Sequence, residues 1–140
     1  MMRRWIFPIL AGTVMAIGAY HATLLATPFV LMQAAIMRVG KQAPANQFAF
    51  SPMTTAENQT IVRPSPDLSY SVCAFDVSKG PVLVDVQPVP GYYWSVSVFD
   101  ARTDVAAVRS DRDTKGASAR LALIKQGQTA PAGYDPVRVG

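Results

Sequence analysis

Two patterns of apolar residues divide the chain. Residues 5–37, WIFPILAGTVMAIGAYHATLLATPFVLMQAAIM, form a run of 33 positions without Asp, Glu, Lys or Arg. About 20 mostly apolar residues cross the roughly 30 Å of membrane hydrocarbon as a helix. The run therefore predicts one N-terminal transmembrane helix, with its core near residues 6–27 and an extension on or leaving the membrane surface. Pro8 falls in the first turn, where its missing N–H costs nothing, and Pro28 lies near the far end, where it kinks or closes the helix. Beyond residue 58 the pattern changes to a period of two, the signature of strands with one buried face.

The flanks of the apolar run suggest a topology. Arg3 and Arg4 precede it, and Trp5 sits at its edge, where an amphipathic ring suits the headgroup layer. A short basic tail, residues 1–4, then faces the cytoplasm, although Arg38 and Lys41 on the other flank weaken the charge bias. A cleaved signal peptide is the competing reading, but the run outlasts a typical h-region. Its best small-x-small site, Ala16-Ile17-Gly18, would leave another apolar block on the mature chain. The expected arrangement is a bacterial inner-membrane protein with one span, a cytoplasmic N-terminus and a periplasmic C-terminal domain.

Residues 38–58 read as a connector, in which residues 43–49 are a short helix or plain linker. The exported β-rich domain is expected over residues 59–140. Its strands are predicted at 59–63, 69–77, 82–87, 92–100 and 119–125, with Val137 and Val139 adding a short terminal strand. Val82, Val84 and Val86 share one face, and Trp94, Val96 and Val98 form another stripe. Ser78-Lys79-Gly80-Pro81 and Pro88-Val89-Pro90-Gly91 are turns. Residues 101–109 are a brief helix or a strand, and 110–118 a charged loop. The strands at 69–77, 82–87 and 92–100, joined by short turns, predict an antiparallel meander. The expected class is mostly β, sandwich-like or α+β, preceded by the single span.

Composition sharpens this division. Charged residues make up 16% of the chain, against about 25% in an ordinary globular protein, and the shortfall lies in the N-terminal run. The net charge is +4, but Arg3 and Arg4 supply half of it. The remainder is a mixed-sign surface, so nucleic acid is not an expected partner. Cys73 is the sole cysteine, which excludes an internal disulfide, and its apolar neighbours favour a buried small residue over a reactive thiol.

The one histidine, His21, lies within the apolar run. The exported part therefore lacks the imidazole base of a Ser/His/Asp triad, and one His with one Cys makes no zinc cluster. No phosphate loop, dinucleotide fingerprint or haem-attachment motif occurs. No cofactor or metal is expected. Carboxylates at turns and strands remain: Asp67, Asp76, Asp85 and Asp100. Arg63, Asp67, Tyr70 and Asp100 bracket the organised strands and form the polar part of a candidate ligand pocket. Tyr92, Tyr93 and Trp94 supply an apolar wall or, alternatively, pack a sheet face. Arg63 and Asp67 equally suit a salt bridge that clamps the intervening turn. Trp5, His21 and Pro28 are the marked positions of the membrane anchor.

Residues 58–100 also carry three ordered blocks. They are Val62-Arg63-Pro64-Ser65-Pro66-Asp67 with Tyr70-Ser71, then Asp76-Val77-Ser78-Lys79-Gly80-Pro81-Val82, then Tyr92-Tyr93-Trp94-Ser95-Val96 ending at Asp100. This succession resembles the bacterial domain of unknown function 1254, with its VRPNPDTLYS, D[LV]SxGPV and PxxxxRYYSVxxxD segments. Ser65 replaces the usual Asn, Leu68-Ser69 the common Thr-Leu, and Gly91 stands near the usual Arg. The resemblance implies kinship with exported proteins that often pair this domain with a second one, numbered 1214. It implies a short membrane-anchored form without that domain, partnered by a separately encoded second half or a larger membrane complex. It transfers no reaction and no catalytic residue. The expected role is an envelope accessory or structural subunit in contact with the lipid bilayer. The alternative is a periplasmic small-ligand-binding module or an enzyme of unknown reaction.

Overall fold

In the computed structural model, residues 3–55, 57 and 64–140 are described. The apolar run forms one helix, α1, Arg3–Val39, of 37 residues. It is long and apolar enough to cross a membrane, and none of its apolar window is buried inside the protein. The structure thus gives the run no soluble core to occupy. Its three threonine hydroxyls are satisfied locally. Thr13, Thr23 and Thr27 donate to the carbonyls of Ile9, Ala19 and Thr23 at 2.9, 2.9 and 2.7 Å. Such back-bonding removes the cost of placing a hydroxyl in lipid. Pro28 does not close the helix. It withholds an amide from the Leu24 carbonyl, yet the helix continues for eleven further residues to Val39.

The rest is a small, mostly antiparallel β region. Its strands are β1, Phe48–Phe50; β2, Ser71–Cys73; β3, Val82–Val86; β4, Ser95–Phe99; β5, Val105–Ser110; β6, Ala119–Ile124; and β7, Asp135–Arg138, with a one-turn helix α2, Asp111–Thr114, before β6. The expected strand at 59–63 lies outside the described residues. The stretch read as a connector contains β1, whose Ala49 is buried between exposed Phe48 and Phe50.

The antiparallel character is as expected, but the neighbours are not those of a meander. The strands pair as β1 with β2, as β3-β6-β7, and as β4 with β5. β6 explains the difference. Leu121 and Leu123 point to one side, Ala122 and Ile124 to the other, and all four are buried. A strand apolar on both faces belongs in the middle of a sheet. It takes that place between antiparallel β3 (Val84↔Leu121, Val82↔Leu123) and parallel β7 (Leu123↔Val137). The core is Val98, Leu121, Leu123, Val137 and Val139, surrounded by half-buried Phe75, Val77, Val82, Val84, Val96 and Ala107.

Two polar clips that share Asp76 fix the chain after β2. Asn46 Oδ1 accepts from Asp76 N–H at 2.7 Å, and Asn46 N–H donates to the Ala74 carbonyl at 2.8 Å, tying the chain just before β1 to the exit of β2. The Asp76 carboxylate in turn accepts from Ser78 N–H at 2.8 Å and starts the turn through Gly80, whose φ of 147° suits glycine. That backbone hydrogen bond, with the Ser78 side chain, holds the Asp76 carboxyl below its ordinary value. The sign follows from linkage. The contribution is present above the unfolded carboxyl pKa and is lost as pH falls through the folded one. Stability of Asp76→Asn should therefore fall less steeply than that of the parent as pH drops below the ordinary carboxylate range. Parallel limbs in urea titrations over that range would refute this role.

Candidate functional site

Among the described residues, Tyr70 and Asp100, two of the polar residues singled out from the sequence, are each held within their own loops. Arg63 lies outside the described residues, and so does its proposed clamp on Asp67. Asp67 is exposed in its turn. The Tyr70 hydroxyl accepts from Ser65 N–H at 3.1 Å and so holds the proline-rich turn. The Asp100 carboxylate accepts from Arg102 N–H at 2.7 Å and Asp104 N–H at 3.0 Å, building the β4–β5 turn. Each of these acceptors already serves its own loop.

Asp85 is likewise engaged, on the outer face of β3. Tyr134 Oη donates to its two oxygens at 3.2 and 3.0 Å, and Arg120 Nε lies 3.4 Å from Oδ1. Arg120 stands opposite Asp85 in the β3–β6 register, with its guanidinium 5.8 Å from the Tyr134 ring centre. The Asp85 hydrogen bond pushes the Tyr134 phenol above its ordinary pKa. Cys73 is half-buried, and its thiol is raised by desolvation, which suits an inert packing residue.

Tyr93 and Trp94 do come together. With Tyr92, Val86, Gln87, Pro88 and Val89 they line a hollow of about 540 Å³ between β3 and β4. Tyr92 and Tyr93 were expected inside a strand. Instead Gly91, at φ 82°, and the Tyr92 N–H to Val89 carbonyl bond (3.2 Å) hold Tyr92 in the preceding turn. Pro88 and Pro90 lack the amides a ladder needs, so β4 starts only at Ser95. The turn leaves Tyr92 74% and Tyr93 56% exposed at the rim, while Trp94 is half-buried. None of the described residues that line the hollow is charged.

One residue was not anticipated. Asp111 follows β5, where a charged loop was expected, and its N–H donates to the Trp94 carbonyl at 3.1 Å. Its Oδ1 is buried without a hydrogen-bond partner among the described residues, and so is Nε1 of Trp94. Sequence gives no local signal for this pairing, because only the β4–β5 register brings positions 94 and 111 opposite each other.

A second, polar hollow of about 330 Å³ lies beside β6 and is lined by Arg109, Asp113, Thr114, Ser118, Ala119, Arg120, Gly133 and Asp135. Its two arginines and two aspartates offset one another, so it offers no field of a single sign.

With these features in place, the sequence pattern of the family described as protein of unknown function DUF1254 matches residues 45–139. The chain belongs to that family. The match begins in the connector just before β1 and ends one residue before the last, so every strand described above falls within the DUF1254 domain. No curated protein matches the chain. No solved structure matches it.

Proposed function

We propose that this DUF1254 protein is a membrane-anchored accessory or structural subunit of the bacterial cell envelope. In this reading α1 crosses the inner membrane with its N-terminus in the cytoplasm, and the β domain works in the periplasm against a separately encoded partner. The observation that carries it is the outer face of the β4–β5 ribbon. In the register Ser97 faces Val108 and, across a bulge, Phe99 faces Val105. Phe99, Val105 and Val108 share that face at 45%, 58% and 47% exposure, while Val98 beneath them is buried. Neighbouring exposed apolar side chains on one sheet face mark a surface made to be covered. Among the described residues, none of the apolar window of helix α1 is buried, so α1 does not supply that cover.

Mild-detergent isolation of the full-length protein tests the assignment. The parent is expected to co-purify in fixed stoichiometry with a second envelope protein. Val108→Asp, at an exposed position, should abolish that association and leave the fold intact. A parent that runs as a partner-free monomer, or a complex indifferent to Val108→Asp, would remove the support for this face.

A further inference from the structure

The polar side chains of α1 are not all satisfied in the same way. Thr13, Thr23 and Thr27 each donate to a carbonyl one turn earlier on the helix. The His21 ring is exposed on the helix surface, with the edge of the Tyr20 ring beside it at 5.5 Å between centroids. It makes no hydrogen bond among the described residues. A neutral imidazole carries one donor and one acceptor. At the middle of a membrane span neither meets water, and leaving them unpaired there is costly.

Whatever covers His21 must offer a donor and an acceptor at the depth of residue 21. A second copy of this chain does so. Two copies with the same topology hold His21 at the same depth, so in a parallel pair one ring donates and the other accepts. Heptad spacing from residue 21 sets Val14, Gly18, Leu25, Met32 and Ala35 on the same side of α1. The locally satisfied threonines fall off this seam. One polar residue in an otherwise apolar seam fixes register and the number of helices. Gly18 lies one turn before His21, and a Cβ there would meet nothing within 4 Å. The single helix therefore has no need of glycine at this position, whereas a bare backbone lets a neighbouring helix come close. We propose that α1 pairs in parallel with α1 of a second copy, through a hydrogen bond between the two His21 rings. This inference rests on the reading that α1 spans the membrane, and it leaves the β4–β5 face to the separate envelope partner.

The test uses the full chain in phosphatidylcholine vesicles, in a Cys73→Ala background that removes the sole cysteine. Oxidation should join copies carrying Val14→Cys, on the His21 side, and leave copies carrying Ala16→Cys, on the opposite side, as monomers. At high lipid dilution the yield follows the association constant. There His21→Leu should lower it about fivefold, the scale of hydrogen bonding between helices in lipid. His21→Asn, which keeps a donor and an acceptor, should retain it, and Gly18→Leu should lower it by blocking close approach. The proposal is overturned if positions 14 and 16 join equally, if neither joins, or if His21→Leu pairs as well as the parent. Position 14 joining only a different protein in native membranes would overturn it too, in favour of that partner. Alkaline carbonate extraction separates this failure from failure of the span. A parent washed from the vesicles overturns both readings, and a retained parent that does not pair overturns only this one.

Discussion

Replacing Leu121 with alanine is expected to destabilise the β domain by about 2–5 kcal/mol. Leu121 has no exposed surface and stands in the central strand of the β3-β6-β7 sheet, opposite Val84. Its loss removes apolar burial and leaves a cavity that the paired strands close only in part. A domain of this size has about 5–15 kcal/mol in total, so the change consumes a large part of the margin. Leu83 supplies the control. It lies next to Val84, on the opposite face of β3, and is 46% exposed, so Leu83→Ala should cost under about 1 kcal/mol. Urea unfolding of the full chain in detergent, read through Trp94 emission, measures both. Equal effects at the two positions would mean that β6 is not the centre of the core.

The second large effect is expected in the helix. His21 is the midpoint of the uncharged run, with 16 residues before it and 16 after. Each half is about 24 Å long as a helix, short of the roughly 30 Å of hydrocarbon. A charge placed nearer one end would let the chain slide and use the remaining apolar stretch. A charge at residue 21 allows no such escape. Arginine at the centre of a span costs about 2.5–3.5 kcal/mol on insertion scales. His21→Arg should therefore move a large fraction of the protein out of the membrane pellet after alkaline carbonate extraction, and Ala11→Arg should move less. Full retention of both variants would contradict a single span within this run.

The two regimes of the chain differ in how far sequence reveals structure, for physical reasons. A helix and its apolar length are local properties, so α1 was legible almost to its ends. Strand faces are local too. Val82, Val84 and Val86 do share the inward side of β3, and Leu121 and Leu123 do oppose Ala122 and Ile124. Pairing is not local. Short turns suggested that successive strands would be neighbours, whereas β6 pairs with β3 across more than 30 residues and takes β7 on its other edge. β1 was missed because three residues set among polar and small ones carry little pattern, although the alternation Phe48-Ala49-Phe50 was its trace. The same limit governs the candidate site. Tyr93 and Trp94 were visible as an aromatic cluster, and Asp100 stood at a strand end. Asp111 acquires meaning only from the residue that the fold sets across from it.

The length of α1 has a mechanical consequence. Its 37 residues measure about 55 Å, whereas a bilayer with its headgroups is about 40–45 Å thick. At an ordinary tilt of about 20° the helix still rises some 52 Å along the membrane normal. In the proposed arrangement its last two turns therefore stand clear of the lipid as a stiff stalk. The β domain is then carried about 10 Å above the headgroups instead of resting on them. Any partner in the same membrane must reach that height, and shortening the stalk by whole turns would change the reach of the domain without altering a residue of its surface.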